Sequence, residues 1–371
     1  MKIKCLKSNL QSALSIASKA VSSKTNMPIL ECIMIEVYAD SIKLVANDLE
    51  LGIETVLEGE VIEMGRIAIE AKIFMDIVRK MPDSEIYIET TSDYKTIIRC
   101  EKSKFTIASR SGDDFTELPE IEKEKSITVS QFTLREIIRE TIFSISDNEN
   151  NRMMTGELFQ VKDGMLTVIS LDGFRISLRN VKINDSTEEI KAIVPGKTLT
   201  DLSKIISGGV DDQVVIYFTD RHILFEFENT LVVSRLIEGD YFNIAQMFNI
   251  THETVITCRN KELLDCIDRA SLLIKESDKK PIIMSAKDDN TMYLKCDTMM
   301  GSMNEELEIA KQGKEIIIGF NPHFLMDIMR VIEDEEIKLY MKDSKSPCII
   351  KDDEGKYVYV VSPVNINAGA Y

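Results

Sequence analysis

Two stretches of the chain are nearly the same sentence: FMDIVRKMPDSEIYIE, Phe74–Glu89, and FLMDIMRVIEDEEIKLYM, Phe324–Met341. Each sets an amphipathic helix, centred on Asp-Ile, ahead of an acidic turn and a strand of alternating apolar and polar residues. A third version, IVPGKTLTDLSKIISGGVDDQVVIYF, runs from Ile193 to Phe218 with Asp-Leu at its centre. The pivots Asp76, Asp201 and Asp327 stand about 125 residues apart, a domain-sized period far longer than the ~20–50 residues of a solenoid repeat.

The first half of each unit repeats more weakly. MKIKCLKSNLQSALSIASKAV, SITVSQFTLREIIRETIFSIS and ETVITCRNKELLDCIDRASLL each pass from strand to helix. Strand pairs follow, alternating about short turns at Tyr38–Ser41 and Lys162–Gly164, a hairpin signature. The reading is an α+β chain of three similar domains, each with two helices packed on antiparallel sheets. Their limits are set at residues 1–122, 126–250 and 251–371, where the strand pattern lapses.

Bulk properties narrow the function. Apolar and charged fractions of 44% and 29% are those of a soluble globular protein. No run approaches the ~18 apolar residues of a membrane span. The N-terminus has lysines but no unbroken apolar run, so it reads as no signal peptide; a cytoplasmic protein without a membrane partner is expected. The seven cysteines are odd in number and lack any C-x-x-C pair, so reduced, buried thiols are predicted rather than disulfides or zinc. The formal charge of −17 argues against gripping nucleic acid with the whole surface, though not against a local basic patch.

Motifs for catalysis fail one by one. PGKT at Pro195–Thr198 has Lys191 where a phosphate loop needs glycine. SDNENNRMMTGE, from Ser146, has Arg152 where a calcium loop needs its sixth-position glycine. His222, His252 and His323 accompany no triad pattern, and His222 and His323 are expected at the solvated surface. The expectation is no catalytic residue, no metal and no cofactor.

Charge is distributed unevenly. Lys2, Lys4, Lys7, Lys19 and Lys24 precede the first acid, Glu31, and Arg135, Arg139, Lys72, Arg79, Lys80, Lys197, Lys204 and Arg330 fall on predicted helices. Two readings stay open: a basic lining segregated from an acidic exterior, or ordinary i,i+4 surface pairing with neighbouring carboxylates such as Glu136 and Glu140. A basic lining would attract duplex phosphates without base readout.

The stretches NMPILECIMIEV, ANDLELGIET, SLDGFRISLR, IVPGKTLTDLSKII, NTLVVSRLIEGDYF, IDRASLLIKE, IGFNPHFLMDIM and YVYVVSPV resemble the bacterial DNA polymerase III beta subunits, the sliding clamps, over essentially the whole length. The resemblance implies a head-to-tail homodimer whose six domains close a ring around duplex DNA. It implies as partners the alpha-type catalytic subunit of the replicative polymerase, a clamp-loader ATPase, and other proteins with a clamp-binding motif, among them repair and translesion polymerases, mismatch-repair proteins and ligase. Such partners place a short peptide in a cleft between the second and third domains.

Carried over by position, the cleft comprises Met154, Leu171, Gly173, Phe174, Arg175, Ile176, Phe242, Gln246, Met247, Asn321, Phe324, Val360, Ser362, Pro363 and Val364, with Arg175 free to hold a peptide carbonyl or carboxylate. The dimer contact comprises Leu272 and Leu273 against the edge around Phe105, with Lys102 and Lys104 facing Glu305, Glu306 and Glu308. DNA-facing candidates are Lys24, Lys72, Asn148, Arg152, Lys197 and Lys204. Leu171, Phe174, Phe242, Gln246 and Asp278 depart from the residues common in the family, and NINAGAY extends the C-terminus, expected to cover part of the cleft. The alternative reading is a peptide-binding scaffold of the same fold that never encloses DNA.

Overall fold

The computed structural model describes residues 1–183, 189–248, 251–274, 280–288 and 290–366. Its α-helices are α1 (Lys7–Ala17), α2 (Ala71–Lys80), α3 (Gln131–Thr141), α4 (Gly196–Ile205), the one-turn α5 (Ala245–Phe248), α6 (Asn260–Ser271) and α7 (Pro322–Val331). Apart from α5, these are the two helices expected of each repeat. The chain forms two compact units, Met1–Leu134 with Lys197–Leu236, and Arg135–Gly196 with Ile237–Tyr371.

The first unit holds a five-stranded sheet, ordered Glu60–Glu63, Lys2–Leu6, Glu85–Thr90, Lys95–Cys100 and Ser103–Ala108, and a nine-stranded sheet. In the larger sheet, Leu51–Val56 of the first repeat pairs antiparallel with Thr230–Arg235 of the second, Thr55 opposite Thr230 and Ile53 opposite Val232. The hydroxyls of Thr55 and Thr230 meet at 2.8 Å in the interior. Here α1 buries Leu10, Ala13, Leu14 and Ala17, and α2 buries Ala71, Phe74, Ile77 and Val78, one apolar stripe each.

The second unit repeats the plan. Its nine-stranded sheet joins Arg175–Lys182 of the middle repeat to Tyr357–Val361 of the third. Its four-stranded sheet runs Gly301–Glu308, Thr291–Thr298, Ile282–Ala286, Ile316–Phe320. One hydrophobic core takes Leu263, Cys266, Ile267 and Ala270 from α6 and Leu325, Met326, Ile328 and Met329 from α7. The compact units therefore do not follow the repeat limits expected from sequence. The middle repeat gives strands to a nine-stranded sheet in each, because an unpaired strand edge is satisfied by the neighbouring repeat.

The hairpin expected at Lys162–Gly164 forms with Asp163 at φ 50° and Gly164 at φ 72°, the left-handed pair that a two-residue turn requires. All seven cysteines are buried and free. His222 and His323 are half-buried, not solvated as expected: His222 opens a strand paired with Thr230–Arg235, and His323 lies in the first turn of α7, its Nε2 enclosed without a hydrogen-bond partner.

One device recurs in all three repeats. The first residue of the first helix is tied to the end of the second. Lys7 donates its ammonium to the Met81 carbonyl at 2.7 Å and its backbone N–H to Ser84. Gln131 accepts from the Ser207 N–H at 2.6 Å and donates its backbone N–H to Asp212. Asn260 donates its amide to the Met329 and Ile332 carbonyls, at 3.0 and 2.9 Å, and its backbone N–H to Glu335. The carbonyls at a helix end lack intrahelical donors; Lys7 and Asn260 satisfy such carbonyls, whereas Gln131 holds an N–H just past α4. Replacing Asn260 by Leu leaves two such carbonyls unpaired at about 1–3 kcal/mol per orphaned group. Urea denaturation followed by circular dichroism is expected to show Asn260→Leu less stable by that order, and a loss under about 0.5 kcal/mol contradicts the account.

Candidate functional site

The antiparallel seam of the second unit positions the site. Arg175 lies opposite Val361, Ile176 opposite Val360, and Ser177 opposite Tyr359. Alternate residues point to opposite faces. Ile176 and Val360 therefore join one apolar cluster with Leu171, flanked by Met153, Met154, Tyr241 and Phe248. Ser177 turns the other way, its hydroxyl 2.6 Å from that of Ser144.

The turn before the seam is built by Asp172. Its Oδ1 accepts the N–H groups of Phe174 and Arg175 at 2.8 and 3.0 Å, and Gly173 takes φ 94°, a conformation that glycine adopts without penalty. Phe174 is thereby thrown outward, 63% exposed, and stacks on Phe324 with ring centroids 6.3 Å apart. The Ser362 N–H donates to the Phe174 carbonyl at 2.8 Å, and that of Val364 to Gly319.

Arg175 is fixed on every side. Its Nε donates to Asp172 at 2.9 Å and its Nη1 to Asp327 at 2.6 Å. Its guanidinium carbon lies 4.4 Å from the ring centre of Phe324 and 5.5 Å from that of Phe143, with the side chain only 11% exposed. The guanidinium expected to hold a peptide carbonyl or carboxylate is thus already engaged by two carboxylates of its own chain.

Of the other expected cleft residues, Asn321 caps α7, its side chain accepting from the His323 N–H at 3.0 Å, and Pro322 follows at the first helical position. Phe242 meets Tyr241 edge-on at 6.0 Å, and Met247 is exposed. Pro363 and Val364 are half-buried. The Gln246 side chain and Asp278 lie outside the described residues, as does the C-terminus beyond Ile366, which itself lies against Gly319. Tyr241, Phe248, Phe143, Asp172 and Asp327 belong to the site and were not expected. Of these, Asp327 carried a signal as a repeat pivot and Asp172 as an aspartate in the turn beside Gly173.

Close to Tyr241 is Glu157, fully buried, with neither carboxyl oxygen in a hydrogen bond. Burial pushes its carboxyl up to about 8. Thr141 pulls the other way, but its hydroxyl is engaged by the Ile137 carbonyl and burial prevails. Glu140, also buried, is pushed up to about 7 by desolvation, against the opposing pull of Arg179 and Arg139.

The expected dimer residues fall on two sheet edges. Ser103–Ala108 closes the five-stranded sheet and Gly301–Glu308 the four-stranded one. Lys102, Lys104 and Phe105 are exposed, Phe105 to 41%, as are Glu306 and Glu308. Leu272 is 78% exposed just past α6, and Leu273 is half-buried. Glu305 is held by Arg269 through two bonds of 2.6 Å, so it buttresses the edge from within its own chain.

The DNA-facing candidates Lys24, Lys72, Asn148, Arg152, Lys197 and Lys204 are all exposed. Pairing with carboxylates is prominent among the helix cations: Lys204 with Asp201 at 3.2 Å, Arg79 with Asp76 at 2.6 Å, Arg139 with Glu136 and Lys197 with Asp48 at 2.7 Å. Elsewhere, a pocket of about 230 Å³ beside Lys4, Asn9, Glu58 and Glu85 has its polar groups paired with one another, Lys4 with Glu85 and Asn9 with Glu58. Among the described residues, no group of three or more acids, histidines or cysteines could hold a metal ion, and no helix is long and apolar enough to cross a membrane.

Tandem α+β repeats, sheets running on between them and an apolar site at a seam define a multidomain clamp architecture. Family models for the DNA polymerase III beta subunit match throughout: the N-terminal domain at residues 1–119, the central domain at 128–243 and the C-terminal domain at 246–365. A beta sliding clamp of Bacillus subtilis is 31% identical across 98% of this chain and 99% of its own. Among solved structures, a putative DNA polymerase III beta subunit from Eubacterium rectale superposes with a TM-score of 0.96 at 55% identity, covering 99% of this chain and all of that one. The B. subtilis clamp does so with a TM-score of 0.94 at 30% identity and the same coverage. The chain belongs to the DNA polymerase III beta subunit family, and is a sliding clamp that serves DNA polymerase.

The buried carboxyl gives a pH test of the site's packing. With its folded value near 8 and its usual value near 4.5, Glu157 keeps its proton in the fold and sheds it on unfolding. Its contribution is therefore lost as pH rises through that window, by about 1.4 kcal/mol per pH unit. Glu157→Gln is expected to match the parent near pH 5 and to become progressively more stable than it toward pH 8. Parallel stability curves for the two proteins would contradict an uncharged Glu157.

Proposed function

We propose that two copies of this chain associate head to tail into a closed ring that encircles duplex DNA, slides without reading sequence, and tethers the replicative polymerase for processive synthesis. The observation that carries the proposal is the pair of unlike sheet edges. One, Ser103–Ala108, is flanked by Lys102 and carries Lys104 and Phe105; the other, Gly301–Glu308, carries Glu306 and Glu308 and lies in the same sheet-and-helix domain as Leu272 and Leu273. Edge strands expose unpaired backbone donors and acceptors, and complementary, unlike edges carried by one chain give a heterologous contact that closes when the rotation fits.

Lys24, Lys72, Asn148, Arg152, Lys197 and Lys204 serve as phosphate contacts. The alpha-type polymerase subunit, a clamp-loader ATPase, and repair and translesion polymerases, mismatch-repair proteins and ligase dock peptides at the Phe174–Arg175 seam. The chain works in the cytoplasm, binds no cofactor and catalyses nothing itself; the reaction belongs to the enzymes that it holds.

Light scattering across dilution is expected to give twice the chain mass of 42.1 kDa, and Leu272→Asp with Leu273→Asp to give the single mass. Loaded by its cognate loader on nicked circular duplex, the parent is expected to stay bound in high salt and to leave once the circle is cut. A persistent monomer, or retention indifferent to cutting, would overturn the ring and favour a peptide-binding scaffold.

A further inference from the structure

The edge strand Gly301–Glu308 is entered through a two-residue turn. Thr298 stands opposite Gly301 at the end of the ladder, which leaves Met299 and Met300 at the tip. Thr298 builds the turn: its hydroxyl accepts the Met300 N–H and donates to the Gly301 carbonyl, both at 3.1 Å, and Gly301 takes φ 151°. Such turns favour glycine, asparagine and aspartate, which supply backbone freedom or local hydrogen bonds. A methionine supplies neither. Met299 is wholly exposed and Met300 64% exposed, so the side chain of Met299 buries nothing within its own chain.

What lies beside the tip gives these side chains a use. Gly301 backs onto Leu273, whose neighbour Leu272 is the exposed leucine just past α6. Met303, on the edge strand, packs against the same core as Leu273. The leucines and the methionine tip therefore give the edge strand an apolar end. Exposed apolar clusters of this kind mark contacts, and methionine adapts its shape to what it meets. The occupant is a second copy of this chain: the tip is continuous with the edge that the ring uses, and the opposite edge presents the exposed ring of Phe105.

The tip is also reactive sulfur. All seven cysteines are buried, and burial pushes the thiols of Cys5 and Cys258 up to about 12, which leaves almost no thiolate to attack an oxidant. A thioether needs no ionisation. One oxygen passes from a hydroperoxide to the sulfur: the O–O bond breaks, a sulfur lone pair forms the S–O bond, the thioether is oxidised and hydrogen peroxide leaves as water. The sulfoxide is polar, where the thioether was apolar. Burying its oxygen without a donor is unfavourable, and in the proposed contact Lys102 and Lys104 face Glu306 and Glu308.

We propose that Met299 and Met300 are an oxidation-sensitive latch on the subunit contact: as thioethers they extend it, and as sulfoxides, formed by a hydroperoxide while the subunits are apart, they keep the ring open. The step is reversible. Two thiols give up two electrons and two protons to become a disulfide, the sulfoxide oxygen leaves as water, and the thioether returns. The inference rests on the ring reading given above and adds a peroxide-dependent control of that ring.

The test uses the full chain and hydrogen peroxide. Peptide mass mapping scores each methionine, and sedimentation across dilution gives the concentration at which dimer yields to monomer. Met27, Met64 and Met247 are exposed as well and serve as controls; Met64 follows Glu60–Glu63, at the far edge of the five-stranded sheet from Phe105. Peroxide is expected to raise the midpoint of the parent at least tenfold, and reductases for both sulfoxide epimers, with dithiothreitol, to restore it. Met299→Leu with Met300→Leu is expected to stay within threefold of the untreated parent and to ignore peroxide, because leucine is close to methionine in volume and carries no sulfur. Met299→Gln with Met300→Gln is expected to raise the midpoint tenfold with no peroxide at all. Thermal melting checks that each pair of tip substitutions leaves the fold intact. An unmoved midpoint in parent protein that carries both sulfoxides, a tip left unoxidised while the control methionines react, or a leucine pair as sensitive as the parent would overturn the latch. A parent that is monomeric before any peroxide would overturn the ring reading beneath it.

Discussion

The register between Arg175–Arg179 and Tyr357–Val361 governs the candidate site. A slip of one residue would turn every side chain of the seam to the other face, sending Ile176 and Val360 out of the apolar cluster and Ser177 into it. The register is held from both faces. On one, Ile176 and Val360 pack with Leu171; on the other, Ser177 meets Ser144 and Tyr359 lies against Phe143 at 6.0 Å. The same Phe143 ring closes one face of the Arg175 guanidinium. Strand register, aromatic column and ion pairs therefore constrain one another, and the exposed Phe174 is presented from a rigid base.

The architecture was largely legible because helix periodicity survives divergence. Phe74, Ile77 and Val78, and Leu325, Met326 and Ile328, fall inward at the spacing that the sequence shows. The ties between paired helices were not legible, although they recur three times. Lys7, Gln131 and Asn260 share no chemistry beyond an ability to hydrogen-bond, and the backbone geometry, not the residue type, is what repeats. The running-on of sheets between repeats was equally hidden. Leu51–Val56 and Thr230–Arg235 carry alternation that would suit any antiparallel neighbour, and pairing partners far apart in sequence leave no local mark.

At the site, residue-by-residue likeness located the strand and its turn but did not show that Arg175 is paired within the chain. Nothing local to Arg175 in SLDGFRISLR says that Asp327, some 150 residues on, will pair with it. Asp172 was within reach of inspection, three residues before Arg175 in a turn that contains Gly173, where an aspartate commonly accepts backbone N–H groups. Buried Glu157 was overlooked although the period of two sets it on the same face as the apolar Phe159 and Val161.

The pairing of the exposed cations bears on how an acidic chain could hold DNA. Exposed ion pairs such as Lys204 with Asp201 or Arg79 with Asp76 are worth roughly 0–1 kcal/mol, little enough for a passing phosphate to displace the carboxylate. Each displacement would recover only part of the phosphate attraction, because the acid remains within the same turn of helix. A cation with its own built-in competitor therefore attracts the backbone everywhere and grips it nowhere. On the proposed reading this favours sliding over arrest, and it leaves retention to the closure of the ring. On that same reading, the net charge of −17 does not forbid a polyanionic partner, because the acids beside the lysines soften the contact rather than block it.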